Sequence, residues 1–142
     1  MSKKYEFTDE TITINSIILH RIKALIDFDR FGIKAGDLGG CIEVEANLSH
    51  DGNAWVYGDA KVSGNAKIKR SNDYACVNGF GSVYKNATFF RCEDDLIRAQ
   101  CGGFYGTIDE FRAKVKETHG DSKYAKEYLM IADLMEYHFA ED

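Results

Sequence analysis

Read in sixes, the stretch Ala54 to Ser71 becomes AWVYGD, AKVSGN and AKIKRS. Ala54, Ala60 and Ala66 stand in register, Val56, Val62 and Ile68 follow two places on, and Gly58-Asp59 and Gly64-Asn65 close their hexads. A small residue, a β-branched residue and a Gly-Asp/Asn pair recurring in this way is the signature of a chain that carries a short strand round a corner every six residues. It predicts a short left-handed β-helix. Leu48 to Asn53 fits the same frame, with Gly52-Asn53 in the corner slot, which gives little more than one triangular coil. Stacked repeats sustain a core only from about three repeats upward, so both ends of this coil need covers. Lateral packing of its flat faces, three chains around an axis, would add the missing burial.

The flanking segments supply candidate covers. From Lys4 to Phe28 the alternations at Thr11 to Ile14 and Ile18 to Leu25, with Asn15-Ser16 between them, predict an antiparallel hairpin or meander. Asp27 to Gly32 reads as a loop, AGDLGG as glycine punctuation, and Cys41 to Glu45 as a short strand. After Ser71 the period is lost. Short strands are expected there, separated by Asn-Gly and Glu-Asp-Asp turns, with Ala87 to Cys92 and Leu96 to Cys101 as a hairpin. Thr107-x-x-Glu110 is a capping box that opens a helix running to Thr118, with Ile108, Phe111 and Val115 on its apolar face and His119-Gly120 as the stop. A second helix starts at Asp121 or Ser122 and buries Tyr124, Tyr128, Ile131, Ala132, Met135 and Phe139. The expected fold class is therefore α+β, with residues 1–71 as strands and coil for oligomerisation and residues 72–142 as a hairpin and two-helix ligand-binding module.

The 142 residues carry 18 basic and 23 acidic side chains, a net charge of −5, with no long run of either sign. This excludes bulk attraction to a nucleic-acid polymer. No apolar stretch approaches the roughly 20 residues that span a bilayer. The four cysteines, Cys41, Cys76, Cys92 and Cys101, lack C-x-x-C spacing and the chain opens without an apolar leader segment, so free thiols in a reducing cytoplasm are expected. No metal-ligand cluster, phosphate loop or catalytic triad spacing is present, and no cofactor is implied.

Two groups of residues compete for a functional role. His50, the histidine of the coil, would be the base of a hexapeptide-type acyltransferase. The C-terminal half instead gathers cations and rings: Phe89, Phe90, Arg91, Arg98, Phe104, Arg112 and Lys116. Arg112 and Lys116 lie one helical turn apart, away from the apolar stripe. They can act as a solvated face, with Asp109 as the partner of Arg112, or clamp a diphosphate while bases stack on the Phe rings.

The run KAGDLGGCIEVEANLSHDGNAWVYGDAKVSGNA is similar to the opening of many small phage proteins with a hexapeptide-like coil. The run from Phe89 to Phe139 resembles a C-terminal module joined to it, and the combination resembles the phage anti-Thoeris sponge proteins. The resemblance implies a non-enzymatic protein of the host bacterial cytoplasm. It would sequester a cyclic ADP-ribose isomer made by TIR-domain immune enzymes, and cyclic oligonucleotides of the CBASS pathway at a separate site. It also implies a homo-oligomer, a trimer or dimer of trimers, and a pocket with an aromatic ring and two arginines a helical turn apart, of whose places Arg112 occupies one here and Lys116, without the planar fork of an arginine, the other. The competing readings are a structural phage or prophage trimer and the acyltransferase.

Overall fold

The structure, a computed structural model, describes residues 3–28, 32–81 and 85–140; the middle of the expected Asp27–Gly32 loop lies outside them. The chain is α+β, with two four-stranded sheets followed by two helices. β1 (Tyr5–Ile14) and β2 (Ile17–Ala24) form the expected hairpin. Asn15 and Ser16 both take left-handed φ, 51° and 70°, the geometry that matches a two-residue turn to the twist of its strands.

β3 (Leu38–Ile42) pairs antiparallel with β2 and parallel with β4 (Lys61–Val62). It begins earlier than the expected Cys41–Glu45 strand, because its glycines are strand residues and not punctuation. A Cβ on Gly39 would stand 2.6 Å from the Val56 carbonyl oxygen and 2.8 Å from the Trp55 ring, and one on Gly40 2.7 Å from Val56 Cγ1. Only bare backbone lets this strand approach residues 55–60 so closely.

The hexad segment lies alongside the chain that precedes it. Cys41 pairs in parallel with Lys61, Ile42 with Val62 and Leu48 with Ile68, each pair twenty residues apart, so one turn of chain lies on the next. Ala54, Val56, Ala60, Val62, Ala66 and Ile68 are all buried, and Gly52, Gly58 and Gly64 turn the corners at φ of 75°, 45° and 64°. Asn47 fastens the two turns from inside. It is 1% exposed, its Oδ1 accepts the Glu43 and Val44 amides, and its Nδ2 donates to the Gly64 and Ala66 carbonyls.

The second sheet is an antiparallel meander of β5 (Tyr74–Phe80), β6 (Lys85–Arg91), β7 (Ile97–Cys101) and β8 (Phe104–Thr107). Asn78-Gly79 is no turn: it lies inside β5, at a shift of register between Val77 and Phe80, with Gly79 at φ 91°. The sheet is buried on both faces. Phe90 and Cys92 enter the coil core, while Ala87, Phe89, Ala99 and Cys101 enter a second core under α1 (Ile108–His119) and α2 (Lys123–Phe139).

Both helices begin as their sequences dictate. Thr107 Oγ1 accepts the Glu110 amide while Glu110 Oε1 accepts the Thr107 amide, and Ser122 caps α2. The buried stripe of α2 differs at one position from expectation. Ala125 occupies the inner place, and Tyr124 is 37% exposed with its ring turned to His119 at 6.1 Å, because a helix opening at Lys123 brings Ala125 onto the line of Tyr128 and Ala132. No helix among the described residues is long and apolar enough to cross a membrane.

Two polar side chains carry testable consequences. Asn47→Ala takes the side-chain partner from the Val44 amide and from the Gly64 and Ala66 carbonyls, while the Glu43 amide keeps the Val62 carbonyl, and denaturant unfolding should show a loss of about 2–4 kcal/mol. Asp73, 2% exposed, accepts the Lys69 and Arg70 amides on Oδ2 and the Arg91 guanidinium on Oδ1. Burial pushes its carboxyl up, but these hydrogen bonds outweigh it and hold the group below the usual Asp value. A carboxyl depressed by folding stabilises the protein above the unfolded value, about 4, and that contribution is lost as pH falls through the lower folded value. Melting curves of Asp73→Asn should therefore lie below wild type at pH 7 and converge with it below about pH 4.

Candidate functional site

Between the β7–β8 turn and the first helix lies a cleft of about 670 Å³. Its floor is Phe111, Val115, Tyr128 and Cys101, all buried; Gly103, Phe104, Tyr105, Lys114, Thr118 and His119 form the rim. The rings interlock at angles. The Phe104 and Phe111 centroids are 5.8 Å apart at 59°, Phe111 and Tyr128 5.6 Å at 84°, and His119 and Tyr128 6.0 Å at 32°. Such tilted and edge-on contacts fix each ring against its neighbour. Tyr128 is pinned further by donating its hydroxyl to the Phe80 carbonyl at 3.1 Å, and burial raises its phenol above the usual range. Phe104 remains half-buried and keeps ring surface toward the opening, while Tyr105 alternates to the coil side of the sheet, its ring beside Phe90 and its hydroxyl on Asn65, and borders the cleft at the strand.

The sequence signals for this site were present but divided. Along α1 the positions Phe111, Lys114, Val115 and Thr118 form one strip, and Arg112 with Lys116 a second strip about a quarter-turn round. The second strip faces α2. Arg112 donates to Asp109 at 3.0 Å, to Asp133 at 2.8 Å and to Glu136 at 3.0 Å, so three carboxylates surround one guanidinium that is 21% exposed. These bonds hold its ionisation well above the usual range. A phosphate approaching Arg112 meets an excess of negative charge. Lys116 is exposed beyond it and does not line the cleft.

The remaining expected residues are dispersed. Phe89 and Phe90 are both 0% exposed and point to opposite faces of the second sheet, one into each core, so neither presents a face to a base. Arg91 donates to Asp73 at 3.2 Å and to the Phe139 carbonyl at 2.9 Å, tying the C-terminal end of α2, where the helix dipole favours a cation, to the sheet. Arg98 is on the coil side of the sheet in a paired hydrogen bond with Asp94, 2.9 Å at each nitrogen. Of the seven expected residues, Phe104 lines the cleft. The sequence marks His119 as a helix stop and Tyr128 as core and singles out neither Lys114 nor Thr118, since a single helix wheel does not show which strip the neighbouring strand turn leaves uncovered.

His50 stands elsewhere, beside a second hollow of about 510 Å³ at the coil. Its Nδ1 accepts the Lys4 amide at 3.0 Å, which places the proton on Nε2, and Nε2 donates to Glu45 at 2.8 Å; the ring stacks on Tyr5 at 4.1 Å. Both ring nitrogens are engaged, an arrangement that locks the loop and leaves no lone pair for a general base. Among the described residues no group of three or more His, Cys, Asp or Glu side chains converges on a metal position.

No family model matches the chain, and no curated protein or solved structure matches it.

Arg112 separates the two α1 strips experimentally. Arg112→Ala should lower stability by about 1 kcal/mol, since exposed ion pairs contribute a few tenths each even in a network, and should leave ligand affinity within twofold of wild type in a calorimetric titration.

Proposed function

We propose that the protein captures a cyclic nucleotide immune signal without converting it, in the manner implied by its resemblance to anti-Thoeris sponges. The observation that supports this reading is the ring-lined cleft. Its volume falls in the range of small-molecule sites, about 300–1,000 Å³, and Phe104 offers a face on which a base stacks while Lys114 and His119 stand at the rim for an anionic group. The ligand class is a cyclic ADP-ribose isomer, with the adenine against the rings. In this reading the coil is a left-handed β-helix and the protein works as a homo-oligomer in the host bacterial cytoplasm.

A second reading, a structural phage oligomer without a ligand, is favoured by the outer face of α2. Met130, Leu134 and Tyr137 recur there at i, i+4 and i+7 and are 69%, 57% and 83% exposed, an apolar stripe that another copy would cover.

Incubation with the TIR-derived cyclic ADP-ribose isomer, removal of free ligand, heat denaturation and chromatography of the supernatant separate the readings. The expected result is recovery of the intact cyclic molecule. Recovery of a linear product would mean conversion, and no recovery would mean no capture. Phe104→Ala should weaken binding roughly ten- to a hundredfold, the loss of one base-stacking contact of about 1–3 kcal/mol, with a far smaller change in melting temperature because the ring is half-exposed.

A further inference from the structure

The β7–β8 turn that forms the strand-side wall of the cleft is held by residues from the N-terminal half of the chain. Asn15, at the tip of the β1–β2 hairpin, donates its Nδ2 to the Gly103 carbonyl at 2.6 Å. Asn65, in the Gly-Asn corner of the third hexad, accepts the Tyr105 hydroxyl on Oδ1 at 3.2 Å and Arg98 Nη1 at 3.4 Å. The corner glycine beside it is equally fitted, since a Cβ on Gly64 would stand 2.8 Å from Tyr105 Cζ. Inside the sheet, Gln100 completes the support. Its Nε2 donates to the Gly102 and Phe104 carbonyls at 2.9 and 3.1 Å, and its Oε1 accepts the hydroxyl of Ser63 from the coil at 3.1 Å.

Asn15 and Asn65 belong to neither hydrophobic core. Their side chains reach across to a turn that has two glycines in succession, Gly102 at φ 57° and Gly103, and hold it from outside the sheet while Gln100 holds it from within. We infer that Asn15 and Asn65 are positioning residues of the cleft: hairpin tip and coil corner fix Gly103 and Tyr105, and so set the aperture through which a planar ring enters. The inference rests on the cleft being the ligand site. A wall held in its bound position before the ligand arrives spares the ordering entropy that a loose turn would lose on binding. The N-terminal half thus contributes to binding through geometry, whatever it contributes to assembly.

Three variants isolate the effect. Asn15→Gly keeps the left-handed turn conformation but removes the donor, Asn65→Ala removes the acceptor, and Asn65→Asp retains one. Amide hydrogen exchange over residues 103–106 should quicken tenfold or more in Asn15→Gly and Asn65→Ala and stay near wild type in Asn65→Asp, with exchange in both cores unchanged. The aromatic anion 8-anilinonaphthalene-1-sulfonate, its place in the cleft verified by loss of binding in Phe104→Ala, should bind threefold or more weakly to the first two variants. Unchanged exchange at the turn overturns the inference, as does faster exchange with unaltered dye affinity. Faster exchange combined with no Phe104-dependent dye binding overturns it through its premise, and the exchange data then show that the cleft reading failed and the tethers did not.

Discussion

Phe89 and Phe90 are adjacent in sequence, fully buried, and on opposite faces of one sheet. The rest of the architecture follows from that pair. A coil of little more than one turn has an open end that its own hexads cannot close, and the second sheet closes it. Phe90 and Cys92 fill the end of the coil core, Ala66 bridges to Cys92, and the Lys67 and Glu93 amides donate to the Arg91 and Asn65 carbonyls across the junction. The opposite face of the same sheet is then the floor on which both helices pack. One layer of four strands thus serves two cores, each too small to stand alone, since a short chain buries a modest fraction of its surface.

Charge follows the same economy. Arg91, Arg98 and Arg112 each reach a carboxylate in another element or across a turn, and each fastens a joint: Arg91 ties α2 to the sheet through the Phe139 carbonyl, Arg98 the β6–β7 turn to β7, and Arg112 α1 to α2. Guanidinium groups that saturate carboxylates in this way are structural bolts with little left for an incoming phosphate. The cleft is accordingly a site of rings with Lys114 and His119 at its edge. Under the proposed function its affinity would depend on stacking and preorganisation more than on Coulomb attraction, and salt should weaken it only slightly.

Much of the fold was legible because it is written in short-range patterns. The hexad positions, the Asn15-Ser16 turn, the Thr107-x-x-Glu110 box and the helix stripes each depend on spacing within a few residues, and each is present. What was not legible depends on distant approach. Gly39 and Gly40 look like loop punctuation until Val56 and Trp55 are brought against them, and Asn47 looks like a surface residue until its four partners from two turns of coil surround it. The site suffered most from this. Alternation along β6 tells that Phe89 and Phe90 face opposite ways, but not that both faces are covered. A helix wheel shows that Arg112 leaves the apolar stripe, but not that Asp133 and Glu136 wait on the neighbouring helix.

The claim on which the account turns is that coil and helices are one cooperative unit joined through the second sheet. The chain carries a single tryptophan, Trp55, buried in the coil core, while both helices belong to the other core, so fluorescence and far-ultraviolet dichroism report the two halves separately. Urea unfolding of wild type followed by both signals should give coincident transitions, and in Phe90→Ala both should move together to lower urea. Two separated transitions in wild type, or a Phe90→Ala variant in which the fluorescence midpoint falls while the helix midpoint stays, would contradict it.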